Sequence, residues 1–145
     1  MDIEPEEKMK ILIETEVKAT PAAVWYAWIT PKDITNWNFA IAEWCCPNAE
    51  INLEVRGKFN YWMEAKDGSM GFDFEGEFTG ITPFKAISYK LEDDREVNVE
   101  FIETENGVKV IETFDAEDEN TADQQKQGWQ SILNNFKQHV ESKNY

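Results

Sequence analysis

Apolar and polar positions alternate along most of this chain, and the period changes near each end. Ile11, Ile13, Thr15 and Val17 alternate with polar neighbours, apart from Leu12, with the period of two that a half-buried strand requires. In the segment Thr20 to Ile29, Val24, Trp25 and Trp28 fall on one helical face, behind a Thr N-cap and a Pro at the first helical position. Thr30-Pro31 repeats that start, and its proline must break the first helix. The pattern predicts two short helices, about 21–29 and 31–36, with Ile34 and Trp37 inward. Residues 38–50, including Trp44-Cys45-Cys46-Pro47, keep no period and read as irregular.

Strand signals then come densely. Ile51, Leu53 and Val55 alternate with Asn52 and Glu54, and Lys58 to Glu64 is also strand-like. Asp67-Gly68 marks a tight turn before Phe72, Phe74 and Phe78, which alternate with Asp73, Glu75 and Glu77. Ala86 to Leu91 and Val97 to Phe101 follow, and Asn106-Gly107 reads as a hairpin turn because both residues tolerate positive φ. Val108, Val110, Glu112 and Phe114 share one face of the next strand, with Lys109, Ile111 and Thr113 on the other. The chain closes on the helical stripe Trp129, Ile132, Leu133, Phe136 and Val140, behind a Thr121–Gln124 capping box. Strands joined by short turns form an antiparallel meander with one apolar face, and only this helix can cover it. The fold class is therefore α+β: a sheet of about seven strands, two short helices and a long C-terminal helix. Residues 1–9 form an acidic arm and 10–145 one domain.

Composition narrows the function classes. Hydrophobic residues make up 41% of the 145 positions, too many for a disordered chain despite the charge. With 14 basic against 29 acidic residues the net charge is −15, which repels phosphate backbones and anionic lipid heads. Nucleic acid and membrane partners are not expected. No apolar run has the ~18–20 residues of a membrane span, and the acidic start MDIEPEEKMK is not a secretory signal. Two adjacent cysteines, Cys45 and Cys46, cannot staple distant segments, so a reducing, cytoplasmic location is the expectation.

The element order, the starts Thr20-Pro21-x-x-Val24-Trp25 and Thr30-Pro31-x-x-Ile34-x-x-Trp37, Phe74-x-Gly76-x-Phe78-x-x-Ile81-x-Pro83 and Gly128-Trp129-x-x-x-Leu133 together resemble a known group. The chain is similar over roughly residues 10–141 to the START-like (SRPBCC, helix-grip) superfamily, in the branch of homologues of the activator of heat-shock protein 90 ATPase. The resemblance implies a curved seven-stranded sheet and a hydrophobic cavity between sheet and C-terminal helix. It implies no shared catalytic motif and no cofactor. The eukaryotic activator has an additional N-terminal domain for which 145 residues leave no room. Members of the superfamily include lipid and hormone carriers and polyketide cyclases. The expected function is non-enzymatic binding of a small apolar ligand; a chaperone-linked interaction module and a cyclase-like enzyme are the alternatives.

Candidate site residues follow. Trp28, Trp37, Trp44, Phe59, Tyr61, Phe72, Phe74, Phe78, Trp129, Leu133 and Phe136 are the rings and side chains that can converge between sheet and helix, either as cavity walls or as a solid core. Gly128 reads either as a point of close helix approach or as a surface glycine. Glu112 is a catalytic candidate if its strand turns Val108, Val110 and Phe114 inward; if Ile111 and Thr113 are inside, it is solvated. Tyr61 is the second catalytic candidate, and Gln125 another polar group for the cavity. The single histidine, His139, is offset from the helical stripe and reads as exposed and idle; no metal site is expected. Asp73, Glu75 and Glu77 read as a solvated sheet face, with a cationic partner as the alternative.

Overall fold

The computed structural model describes residues 9–143, so the expected acidic arm lies outside the described residues except for Met9. The chain runs β1 (Lys10–Val17), α1 (Pro21–Ile29), α2 (Pro31–Ile34), β2 (Trp44–Ile51), β3 (Lys58–Ala65), β4 (Gly71–Thr82), β5 (Ala86–Leu91), β6 (Glu96–Thr104), β7 (Gly107–Asp115) and α3 (Ala122–Ser142). All strands join one antiparallel sheet in the order β1-β7-β6-β5-β4-β3-β2. The sheet curls, and α3 lies in its concave side: an α+β helix-grip. None of the helices among the described residues is long and apolar enough to cross a membrane.

Local chemistry sets the helix ends. The Thr20 hydroxyl accepts a hydrogen bond from the Ala23 amide at 3.2 Å and so satisfies a free donor of α1. Thr30 makes no such side-chain bond, and α2 is a single turn ending at Ile34, shorter than the expected 31–36. At α3 both bonds of the Thr121–Gln124 capping box form, at 3.1 Å each. Leu133, Phe136 and Val140 of its stripe are fully buried, each contributing roughly 1.5–3 kcal/mol of burial. The backbone of α3 comes closest to β1, at the edge of the sheet, and to α1.

Two expectations need correction. The segment around Trp44-Cys45-Cys46-Pro47 is not irregular; it is strand β2, and Leu53 and Val55 fall in the turn that follows. A bulge between Cys45 and Asn48 interrupts the ladder with β3. The proline is tolerated because β2 is an edge strand, where a missing N–H breaks no ladder bond on the open side. The β6–β7 hairpin is real, but its register pairs Thr104 with Gly107, so Glu105 and Asn106 make the turn. Gly107 serves another purpose. A Cβ there would sit 2.0 Å from the Val17 carbonyl oxygen, where β1 leaves the sheet. Gly107→Ala is expected to destabilise the fold by about 2 kcal/mol or more, since a backbone atom must move; urea unfolding with an unchanged midpoint would refute this reason for the glycine.

Candidate functional site

Between the concave sheet face and α3 lies a cavity of about 430 Å³, within the ~300–1,000 Å³ usual for small-molecule sites. Strand alternation builds its floor. Phe59, Tyr61 and Met63 of β3 point inward, as do Phe72, Phe74 and Phe78 of β4 and Ile87 and Tyr89 of β5. Phe59 lies flat to the floor because Gly76 pairs opposite it: a Cβ on Gly76 would be 2.9 Å from the Phe59 ring and 2.7 Å from the Lys90 carbonyl oxygen. Phe59 in turn meets Tyr61 at 4.9 Å, Phe78 at 5.3 Å and Tyr89 at 4.9 Å between ring centroids.

Trp129, Ile132 and Leu133 of α3 form the roof. Trp129 stacks on Phe114 of β7, with centroids 3.9 Å apart and planes 10° apart, and meets Phe74 edge-on at 6.0 Å. Trp28 and Trp37 close one end, 5.1 Å from each other and each edge-on to Phe136 at 4.9 Å. The Trp37 indole N–H donates to the Ala27 carbonyl at 3.0 Å, which fixes that ring. Of the sequence candidates, Trp44 and Phe136 are not walls: Phe136 is fully buried behind Trp28 and Trp37, and Trp44 packs on Phe72 at 5.8 Å. Gly128 borders the cavity, and a Cβ on it would meet nothing within 4 Å. The close approach to the sheet considered for this glycine therefore does not occur.

Glu112 points inward. It is 6% exposed and lines the cavity. Its ladder neighbours are Ile13 on β1 and Val99 on β6, so aliphatic side chains flank it on both sides. No donor among the described residues reaches its carboxyl group, and burial pushes its pKa up to about 8. At neutral pH the group is mostly protonated. Burial likewise raises Tyr89 well above the ordinary tyrosine value, with the nearby Glu112 and Tyr61 adding to it, and burial raises Tyr61 too. Both phenols therefore keep their protons, which makes Tyr61 a poor base.

Two other polar candidates are engaged elsewhere. Gln125 lines the cavity, but its amide ties the loop before α3: its oxygen accepts from the Glu117 amide at 2.8 Å, and its nitrogen donates to the Glu117 and Asn120 carbonyls at 3.1 and 2.8 Å. His139 is not exposed; its side chain is 10% accessible and its Nε2 lies 2.8 Å from Asp33 Oδ1, joining α3 to α2. Burial pushes the Asp33 carboxyl up, but hydrogen bonds from Lys143 and His139 outweigh it and leave the group below its ordinary value. Asp73 and Glu77 are exposed and Glu75 half-buried, on the sheet face away from α3.

The family model described as activator of Hsp90 ATPase homolog 1-like protein matches residues 18–141. The chain belongs to this family. Among solved structures it is similar to an AHSA1-like protein of Aeromonas hydrophila, with 46% identity and a TM-score of 0.88 over 92% of this chain and 93% of that one. A protein of Cytophaga hutchinsonii gives 39% identity and a TM-score of 0.80, covering 92% of each chain. One from Nitrosomonas europaea shares the fold at 16% identity, with a TM-score of 0.78 over 95% of this chain and 97% of that one. A search of curated proteins finds no match.

Sequence reasoning missed Tyr89, Met63, Ile87 and Ile132 among the walls. Parity held the signal for Tyr89, since Ile87, Tyr89 and Leu91 face inward together. The protonated Glu112 has a consequence for stability. The folded protein keeps this proton to about pH 8, whereas an exposed glutamate releases it near 4.5. The native state thus binds more protons between those values, so this group's contribution falls as pH rises from about 4.5 to about 8 and is flat above. Glu112→Gln is expected to stabilise the fold by a few kcal/mol at about pH 9 and scarcely at about pH 4. Urea unfolding at both pH values checks this; an equal effect at both would contradict it.

Proposed function

We propose that this protein is a non-enzymatic, cytoplasmic binding protein that holds a small hydrophobic or aromatic ligand between the sheet and α3. The observation that carries this reading is the 430 Å³ space walled mainly by rings and aliphatic side chains. Interiors are otherwise close-packed, so a space of that size inside a small domain has an occupant as its simplest reason. Flat, apolar walls from Phe59, Phe74, Trp129 and Trp28 match a planar apolar molecule.

A cyclase-like enzyme is the second reading, and Glu112 alone favours it, as a buried group that still carries a proton to donate at neutral pH. In that reading Glu112→Gln abolishes turnover and leaves binding intact; a carrier has no turnover to lose.

The test of the binding reading uses naphthalene as probe and tryptophan fluorescence as readout. Saturable one-to-one binding is expected. Ile132→Trp, which enlarges a half-buried roof residue, is expected to weaken it about tenfold or more while leaving the thermal midpoint unchanged. Binding that never saturates, or that ignores this substitution, would remove the cavity as the ligand site.

A further inference from the structure

Resting on the binding reading above, we infer that the ligand is neutral and carries a hydrogen-bond-accepting oxygen, of carbonyl type, that Glu112 receives in the cavity together with Tyr89 or Tyr61. Three O–H groups line one apolar space, on β7, β5 and β3. Tyr61 and Tyr89 are 9% and 8% exposed, and Glu112 is 6% exposed. None of the three has a hydrogen-bond partner among the described residues, although each is a strong donor when protonated. Their oxygens open on the cavity rather than into packed protein, so an occupant that displaces water from it must supply a partner in the water's place. Three together on the wall of a ligand-sized cavity define what the occupant must offer: an acceptor.

A cationic ligand is the rival, since the protein carries −15 and the walls are aromatic. The surroundings of Glu112 argue against it. Its neighbours across the ladder are Ile13 and Val99, and the residues of α3 that line the cavity carry no charge. Trp28 and Trp37 close the helical end, and the charged lining residues other than Glu112 are Arg95 and Glu117. An ammonium group would require Glu112 to ionise in this setting, so two charges would lose their hydration for one contact. A neutral oxygen requires no ionisation.

Three probes of similar outline decide the matter: acetylnaphthalene, ethylnaphthalene and naphthylmethylamine, titrated by tryptophan fluorescence. At about pH 6 the ketone is expected to bind about tenfold tighter than the hydrocarbon, one hydrogen bond's worth, and tighter than the amine. The preference should decline as pH rises through about 8, where Glu112 loses its proton. Glu112→Gln, which keeps a donor, should retain the preference at every pH, and Glu112→Leu should lose it while still binding the hydrocarbon. Equal affinities for ketone and hydrocarbon, tightest binding of the amine, or a preference that survives in Glu112→Leu would each overturn this inference alone. Failure of all three probes to bind would instead overturn the binding reading on which it rests.

Discussion

Aromatic contacts fix the long helix at two points, one on the sheet and one at the short helices. Trp129 lies flat on Phe114 with 3.9 Å between centroids, and seven residues further on Phe136 is wedged edge-on against Trp28 and Trp37 at 4.9 Å. Seven residues are two helical turns, about 10 Å, so the props brace α3 at two separate points. Rings already in van der Waals contact cannot be compressed further. The helix backbone is thereby kept nearest β1 at the sheet edge, and the middle strands face a gap that their own side chains do not fill. Fold and cavity are two results of one packing arrangement.

That arrangement explains the chemistry of the interior. Glu112 occupies a position on β7 where alternation alone calls for an apolar residue, in line with Val108, Val110 and Phe114. Its ladder partners are aliphatic and the residue is buried, so the carboxyl keeps its proton. The strongly acidic composition acts elsewhere. Asp73 and Glu77 face solvent on the other side of the sheet, and Asp33 pairs with His139 and Lys143 where α2 meets the end of α3. Surface charge and buried polarity are thus separate features with separate roles.

Much of this was legible in the chain. Period-two alternation marked β1, β3, β4, β5, β6 and β7, and the capping box and stripe marked α3, because one-sided burial imposes its period on the residues. β2 was hidden: its bulge between Cys45 and Asn48 breaks the period, and a proline on an edge strand looks like a loop. The β6–β7 turn was misplaced by one residue, since Gly107 is selected by the nearness of Val17 rather than by the turn. The inward rings of β3 and β4 could be named from parity. Whether Glu112 faced inside could not, because Ile111 offered an equally apolar alternative on the opposite face. The contact of His139 with Asp33 joins residues 106 apart in sequence, a distance that no local pattern reports.

Fold and chemistry meet in an apolar space kept open with one unpartnered carboxyl in its wall. The most direct measurement is the pH titration of the Glu112 side-chain carboxyl carbon by NMR. A midpoint near 8 is the predicted result. A midpoint near 4.5, the ordinary glutamate value, would place that carboxyl in water and contradict both its burial in the cavity wall and its proposed use.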